Sequence, residues 1–381
     1  MNRASTVIFV VALFAATPSA TGSGSARHEK IAAVSTGSDF ACALTVDGRV
    51  LCWGANDAGQ LGNRTFRGSP SPVEVSGLRS QAKAISAGYG HACALAGDGS
   101  VLCWGENAYG QLGNRDMKNS AEPVLVSGLG TKATAIAAGG GHTCALTASG
   151  GVLCWGNNAS GSLGNNKTGN SAKPVAVLGL DGPVIALTAG GEHTCALTAK
   201  GGLLCWGDNS ISQLGNNHIE ESRVPVTILG LHSGVLAAVA GFEHTCALSS
   251  RAGVLCWGSN QYGQLGGNKE DHHLPTAVDH LPPDVTRIAT GSSSSYALTK
   301  SGVLRWGTSE GEPVEDARKE SLTPAPVPGL AHRQIVAISA GSTHACALTA
   351  QGDVLCWGSN KHGALGNGST LKSGGPVAVK F

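Results

Sequence analysis

Twelve cysteines carry the most chemistry in this chain, and they come in pairs ten residues apart: Cys42 with Cys52, Cys93 with Cys103, Cys144 with Cys154, Cys195 with Cys205, Cys246 with Cys256, and Cys346 with Cys356. Such thiols can pair as disulfides, ligate a metal as thiolates, or stay as small buried apolar groups. Structural zinc sites use a Cys-x₂₋₄-Cys spacing, which these pairs lack. In CALTVDGRVLC, a loop at Val46, Asp47 and Gly48 sets Thr45 opposite Arg49 and therefore Cys42 opposite Cys52. Opposed residues of a non-hydrogen-bonded antiparallel pair have Cα atoms about 4.5 Å apart, at the short end of what a disulfide spans. One further copy of this stretch reads YALTKSGVLRWG, where Tyr296 and Arg305 replace both cysteines at once. Loss as a pair is the behaviour of bonded partners. Disulfides are the leading reading, and with them an oxidising compartment.

Other residues invite chemistry less well. His91, His142, His193, His244 and His344 recur at one position, with Phe40 and Ser294 in the other two copies. A metal or general-base role is tempting. Histidines spread one per repeat cannot converge on one ion, so a hydrogen bond to a neighbouring loop backbone is expected. The GQLGN loops (Gly59 to Asn63, Gly110 to Asn114 and their kin) could cradle phosphate or calcium. They lack Gly-Lys-Ser/Thr and alternating aspartates, and read as tight turns with positive φ. Ser292 to Ser295 has no fixed His or Asp partner and reads as a divergent turn. Glu270-Asp271-His272-His273 is the one dense group of metal-ligand types, but neighbours in sequence seldom converge on one ion, so a solvated loop is expected. No catalytic residue, metal or cofactor is assigned.

These residues sit in a frame repeated seven times, marked by Trp53, Trp104, Trp155, Trp206, Trp257, Trp306 and Trp357, with steps of 51, 51, 51, 51, 49 and 51 residues. A fixed period of this size signals a repeat architecture. Its fullest form is GHACALAGDGSVLCWGENAYGQLGN, Gly90 to Asn114. Each copy offers four short strands, in the second Ala84 to Ala87, Ala92 to Leu95, Val101 to Trp104 and Val124 to Val126, separated by turn signals. Val101 and Cys103 point one way, Leu102 and Trp104 the other. Both faces are apolar, as blades stacked face to face require. The expectation is an all-β fold, a seven-bladed β-propeller of four-stranded blades. The chain enters at Ile31 without a preceding Pro-Val strand and leaves through Pro376 to Val379, so the last strand is expected to join the first blade and close the ring.

The pattern AG-x-x-H-x-C-A-L, G-x-V-L-C-W-G-x-N-x-x-G-Q-L-G-N, P-V-x-V-x-G-L resembles the repeat of the regulator of chromosome condensation family over about Ile31 to Val379. The resemblance is to a secreted, bacterial-type member, and it implies the same seven-bladed propeller. It also implies candidate activities: guanine-nucleotide exchange on a small GTPase, or inhibition of another enzyme by a secreted propeller.

Compartment and partner follow from the remaining features. Met1 to Thr6 carries Arg3, Val7 to Ala16 is apolar, and small residues follow. That is the layout of a signal peptide spanning 1–26, cleaved between about 20 and 26, with one propeller domain over 27–381. No transmembrane segment is expected after cleavage. Net charge is +1, which argues against nucleic acid as the partner, and glycine is 56 of 381 residues, which suits many tight turns. The sixth repeat lacks both cysteines, the histidine and the GQLGN element. Thr308 to Thr323 runs instead, with Glu310, Glu312, Glu315, Asp316 and Glu320 against Arg318 and Lys319. It is either a specific contact surface or a decayed copy. Basic residues (Arg64, Arg67, Arg115, Lys118, Lys167, Lys173) mark the first three repeats and acidic ones (Glu220, Glu221, Glu270, Asp271) the fourth and fifth, a field that would steer a charged partner. The expected function is a secreted or periplasmic monomer that binds a protein or a cell-surface macromolecule without catalysis.

Overall fold

Four antiparallel strands in sequence order form each blade, and seven such sheets complete the described fold. A computed structural model describes residues 29–78, 80–267, 270–308, 321–331 and 333–381. The expected signal peptide lies outside these residues. In blade one the strands are Ile31–Thr36, Phe40–Thr45, Val50–Gly54 and Ser69–Glu74, from the channel outwards. The second strand is buried along its whole length in every blade. Among the described residues no helix is long and apolar enough to cross a membrane.

The hairpin register is the expected one. Thr45 N donates to Arg49 O, Gly48 N to Thr45 O, and Cys42 stands opposite Cys52. The same register sets Cys93 opposite Cys103, Cys144 opposite Cys154 and Cys195 opposite Cys205. It also sets Cys246 opposite Cys256 and Cys346 opposite Cys356. All six pairs are disulfides, with Cα atoms 4.0–4.1 Å apart and no free cysteine among the described residues. In blade six Tyr296 faces Arg305 in the same register. The tyrosine ring fills the space of the missing bridge, packed 5.9 Å from Trp357. Six bridges of this kind suggest an oxidising, extracytoplasmic environment. Each closes a short loop, and chain entropy gives each about 2–3 kcal/mol. Denatured without reductant, the protein is expected to show no titratable thiol in an Ellman assay. Two or more reactive thiols per chain in freshly isolated protein would contradict the pairing.

The ring does not close by strand exchange, which corrects the expectation. The last strand, Ser373–Ala378, pairs with Val354–Gly358 of its own blade, and Ile31–Thr36 is the inner strand of blade one. The reason is phase. The first described strand is an inner one and the last an outer one, and each of the seven sheets has its four strands in sequence order. The seam closes by the same side-to-side packing as the other blade pairs. Ala41, Ala43 and Trp53 share a core with Cys346, Cys356, Leu348 and Leu365. Trp53 Nε1 donates to Ala364 O at 2.8 Å, and Thr36 meets Ser339 through its amide and hydroxyl. The free edges are blunted by proline instead: each outer strand carries at least one, such as Pro72, Pro123 and Pro376.

The repeated residues link neighbouring blades. The loop Asn56 to Asn63 is held by Asn56, whose Oδ1 accepts from Leu61 N and whose Nδ2 donates to Thr65 O and Arg67 O. This turns Gln60 O towards Trp104 Nε1 of the next blade, at 2.9 Å. Gly62, at φ 64°, passes so close to that indole that an added Cβ would lie 2.9 Å from it. The GQLGN motif is therefore a turn that presents a carbonyl to the next tryptophan. Where blade six lacks it, Trp357 Nε1 finds no acceptor among the described residues.

Four of the five histidines act across the same joints through a side-chain hydroxyl, which corrects the loop-backbone bond expected for them. His91 Nε2 meets Thr143 Oγ1 at 2.8 Å, His142 meets Thr194, His193 meets Thr245, and His244 meets Ser295. Each hydroxyl donates its own proton to a carbonyl, as Thr143 does to Gln111 O. The imidazole is therefore the donor, neutral and protonated on Nε2. Burial pushes His91, His193 and His344 down to about 4 and His142 and His244 to about 3.

Candidate functional site

One end of the channel is narrowed by seven glycines: Gly37, Gly88, Gly139, Gly190, Gly241, Gly291 and Gly341. Each follows the inner strand and lies against the next blade. A Cβ on Gly88 would come 2.4 Å from Gly139 O, one on Gly190 2.4 Å from Gly241 O, and one on Gly341 2.0 Å from Gly37 O. The amide after each glycine reaches the same neighbour in several blades: Tyr89 N donates to Gly139 O and Gly140 N to Gly190 O. This collar lines an open recess of about 80 Å³.

The residues just beyond the collar differ from blade to blade. They are Ser38, Tyr89, Gly140, Gly191, Phe242, Ser292 and Ser342. Tyr89 and Phe242 come from blades two and five, yet their ring centroids lie 5.6 Å apart. Gly140 and Gly191 in the blades between leave room for this approach. A Cβ on Gly191 would sit 2.9 Å from the Phe242 ring. Tyr89 and Phe242 remain 43% and 40% exposed, so the pair covers the mouth from the solvent side. Tyr109 lies beside Gly141 and is also exposed.

Carboxylates occupy neighbouring loop positions. The next position of the loop holds Asp39, Glu192 and Glu243, and the residue after each Trp-Gly pair adds Glu106 and Asp208. Asp208 N donates to Glu192 O, which joins the two positions in one blade. Burial, then the charges of Asp208 and Asp271, raises the Glu243 carboxyl above its ordinary value. Ser160 Oγ donates to Glu192, and Thr343 Oγ1 to Asp39.

The residues singled out from sequence divide as follows. The cysteines, tryptophans and histidines are internal, and hold blades together rather than forming a site. The sulfurs of Cys144 and Cys154, Cys195 and Cys205, Cys246 and Cys256, and Cys346 and Cys356 are closed in bridges within their own blades, as are those of the first two blades. Ser292 and Ser293 lie at the mouth, whereas Ser294 and Ser295 open the strand Ser294–Thr299, so only half of that serine run is a turn. Glu270 to His273 diverge, as adjacent residues were expected to. Asp271 accepts from Asn260 N, and His273 Nδ1 meets Ser212 Oγ in the preceding blade. They are not all loop, however: His272 and His273 begin the outer strand His272–Ala277. Among the described residues no His, Cys, Asp and Glu group could hold a metal. Glu310, Glu312, Glu315, Asp316, Arg318, Lys319 and Glu320 lie outside the described residues. The basic and acidic loops do share one end, and Arg64 there is tied to Glu122 at 3.1 Å. The collar mouth was not singled out from sequence. Its signal is the pair of variable positions between the collar glycine and the position that holds His in five copies: SD, YG, GG, GE, FE, SS and ST.

Residues 13–244 and 85–380 match the RCC1-like domain. The chain belongs to the RCC1-like domain family. The ultraviolet-B receptor UVR8 of Arabidopsis thaliana is 30% identical over 365 residues, 93% of this chain and 83% of the receptor. The E3 ubiquitin-protein ligase HERC2 of Mus musculus is 30% identical over 347 residues, 87% of this chain but 7% of the ligase. The structure of Prp20p from Saccharomyces cerevisiae, a protein described by its binding to Gsp1p and histones, superimposes with a TM-score of 0.77 at 22% identity, over 93% of this chain and 88% of that one. At that identity the likeness to Prp20p shows the RCC1-like fold alone.

Proposed function

We propose that this RCC1-like protein is an extracytoplasmic, non-catalytic scaffold that binds another protein or a cell-surface macromolecule across the collar mouth. One observation carries the reading. Exposed aromatic rings gather at loop positions that vary from blade to blade, as Tyr89 and Phe242 do over the channel. Exposed aromatics clustered on a rigid scaffold are a common mark of interaction sites. The open recess beneath, about 80 Å³, is well below the roughly 300 Å³ of small-molecule sites. The six bridges argue against exchange-factor action on a cytosolic GTPase. Inhibition of another enzyme is one form that such binding could take.

Residues 1–26 are proposed to act as the secretory leader, and the acidic segment of the sixth repeat, Glu310 to Glu320, to extend the binding surface. Thr308, just before that segment, bonds through its amide to Ser293 O at the mouth. The test is capture of partners from the host envelope and medium by the oxidised mature protein. Two variants run beside it: Tyr89→Ser with Phe242→Ser, and a ring whose Thr308 to Thr323 is replaced by a GQLGN loop. A partner lost with the first variant supports the mouth, and one lost with the second supports the segment. A partner retained by both moves the site elsewhere. Absence of any partner, with turnover in a substrate screen, would overturn the non-catalytic reading.

A further inference from the structure

Building on that reading, we infer that the collar mouth receives a basic polypeptide segment, an arginine or lysine side chain seated on the Tyr89–Phe242 pair among the carboxylates of neighbouring loop positions. The mouth is built from two loop positions per blade and the residue after each Trp-Gly pair. Across all seven blades these positions hold five carboxylates, Asp39, Glu106, Glu192, Asp208 and Glu243, and no lysine or arginine. None of the five is in an ion pair among the described residues, whereas Glu29, Asp47, Glu74, Glu122 and Glu221 all reach an arginine. Among the described residues no arginine or lysine pairs with the carboxylates at the mouth. Glu243 shows the result, its carboxyl held above its ordinary value by burial and by the charges of Asp208 and Asp271. A cation arriving there relieves that repulsion, and the two open ring faces offer it cation–π contact. An acidic segment or an anionic surface would meet the opposite field.

The tyrosines make the site readable. Of the four, Tyr296 is buried, and Tyr89, Tyr109 and Tyr262 are exposed. Tyr262 occupies in blade five the loop position that Tyr109 holds in blade two. The oxidised mature protein, labelled with 3-fluorotyrosine, would be titrated with a capped tetra-arginine peptide and separately with capped tetraglutamate. Tetra-arginine is expected to shift the Tyr89 signal saturably, with smaller shifts at Tyr109 and Tyr262 and none at Tyr296. Tetraglutamate is expected to shift none. Phe242→Ser and the pair Glu192→Gln with Glu243→Gln are each expected to weaken binding about tenfold. Circular dichroism would establish that both variants keep the fold. A Tyr89 signal unmoved by tetra-arginine, equal shifts with tetraglutamate, or unchanged affinity in the charge-removed variant would overturn the inference. If tetra-arginine fails while Tyr89→Ser with Phe242→Ser still loses the captured partner, the cationic assignment falls and the protein-binding reading stands. If both fail, both fall.

Discussion

Acidification from pH 7 to pH 4 is expected to unfold this protein steeply, because five buried histidines must charge when the ring opens. In the folded state burial holds His91, His193 and His344 near 4, and His142 and His244 near 3. In the unfolded chain each titrates at its ordinary value of about 6.5. A base whose folded value is depressed is neutral in the native state while the unfolded state takes up protons. The unfolded state therefore gains as pH drops through about 6.5, and the loss of stability continues down to the folded values. Each proton contributes about 1.4 kcal/mol per pH unit, so five together give a slope of roughly 7 kcal/mol per unit near pH 5. That is comparable to the whole stability of an ordinary domain. The structural reason is visible at each joint. In four of them Nε2–H is already bonded to the next blade, while Nδ1 has no partner among the described residues. A proton there would be a buried, unsatisfied charge. Glu243, with its raised value, works in the opposite direction, but it is one group against five. Calorimetry in buffers of different ionisation enthalpy at pH 5 is expected to find about four to five protons taken up on unfolding. His142→Gln is expected to lower that number by about one. A melting temperature that stays level between pH 7 and pH 5 would contradict this account.

The hairpin and its bridge were legible in sequence because both are local. Three loop residues set the register from Thr45 to Arg49, and the register then determines where Cys42 and Cys52 meet. The tryptophan period was legible for the same reason: every blade repeats one packing problem. What lay between blades was harder to see. The hydroxyl that meets His91 is 52 residues away, at Thr143, and no local pattern joins them. A signal did exist in the pairing of columns. Where the next blade offers Thr194, Thr245 or Ser295, the preceding blade has a histidine, while Phe40 and Ser294 precede Ala92 and Ala345. His344 breaks the pattern at the seam, where the next blade has Ala41 and offers it no hydroxyl. Ring closure was misread because exit on a Pro-Val strand fits strand exchange and a whole blade equally well. The order of strands in space decides it. The collar mouth escaped because repeats draw the eye to what is constant, whereas a site on a repeated scaffold lies in what varies.

Gly190→Ala is expected to cost several kcal/mol, far more than an alanine in place of an open glycine outside the left-handed region. The backbone at Gly190 is not in the left-handed region, so alanine meets no conformational barrier there. The obstacle is contact alone. Its Cβ would stand 2.4 Å from Gly241 O and 2.4 Å from Cε1 of His193. Overpacking of a well-packed interior typically costs about 1–3 kcal/mol, and more where the neighbour cannot yield. Here neither neighbour yields easily. The carbonyl belongs to the collar of the next blade, whose own glycine is pressed against Gly291 O at 2.8 Å from its would-be Cβ. In a closed ring a shift at one joint has to be absorbed at the others. The imidazole is held by Thr245 at 2.9 Å and cannot turn away without losing that bond. Gly169 is the control: its backbone is also outside the left-handed region, and nothing lies within 4 Å of its Cβ position. Gly169→Ala is expected to stay within about 0.5 kcal/mol of the parent. Thermal or denaturant unfolding of the two variants would decide the matter, and equal midpoints would show that the collar is looser than its distances imply. The same substitution also probes function. Gly190 is followed by Gly191, on which the Phe242 ring rests. A collar forced open at that joint is therefore expected to separate Tyr89 from Phe242 and weaken partner binding even in the fraction of molecules that stay folded.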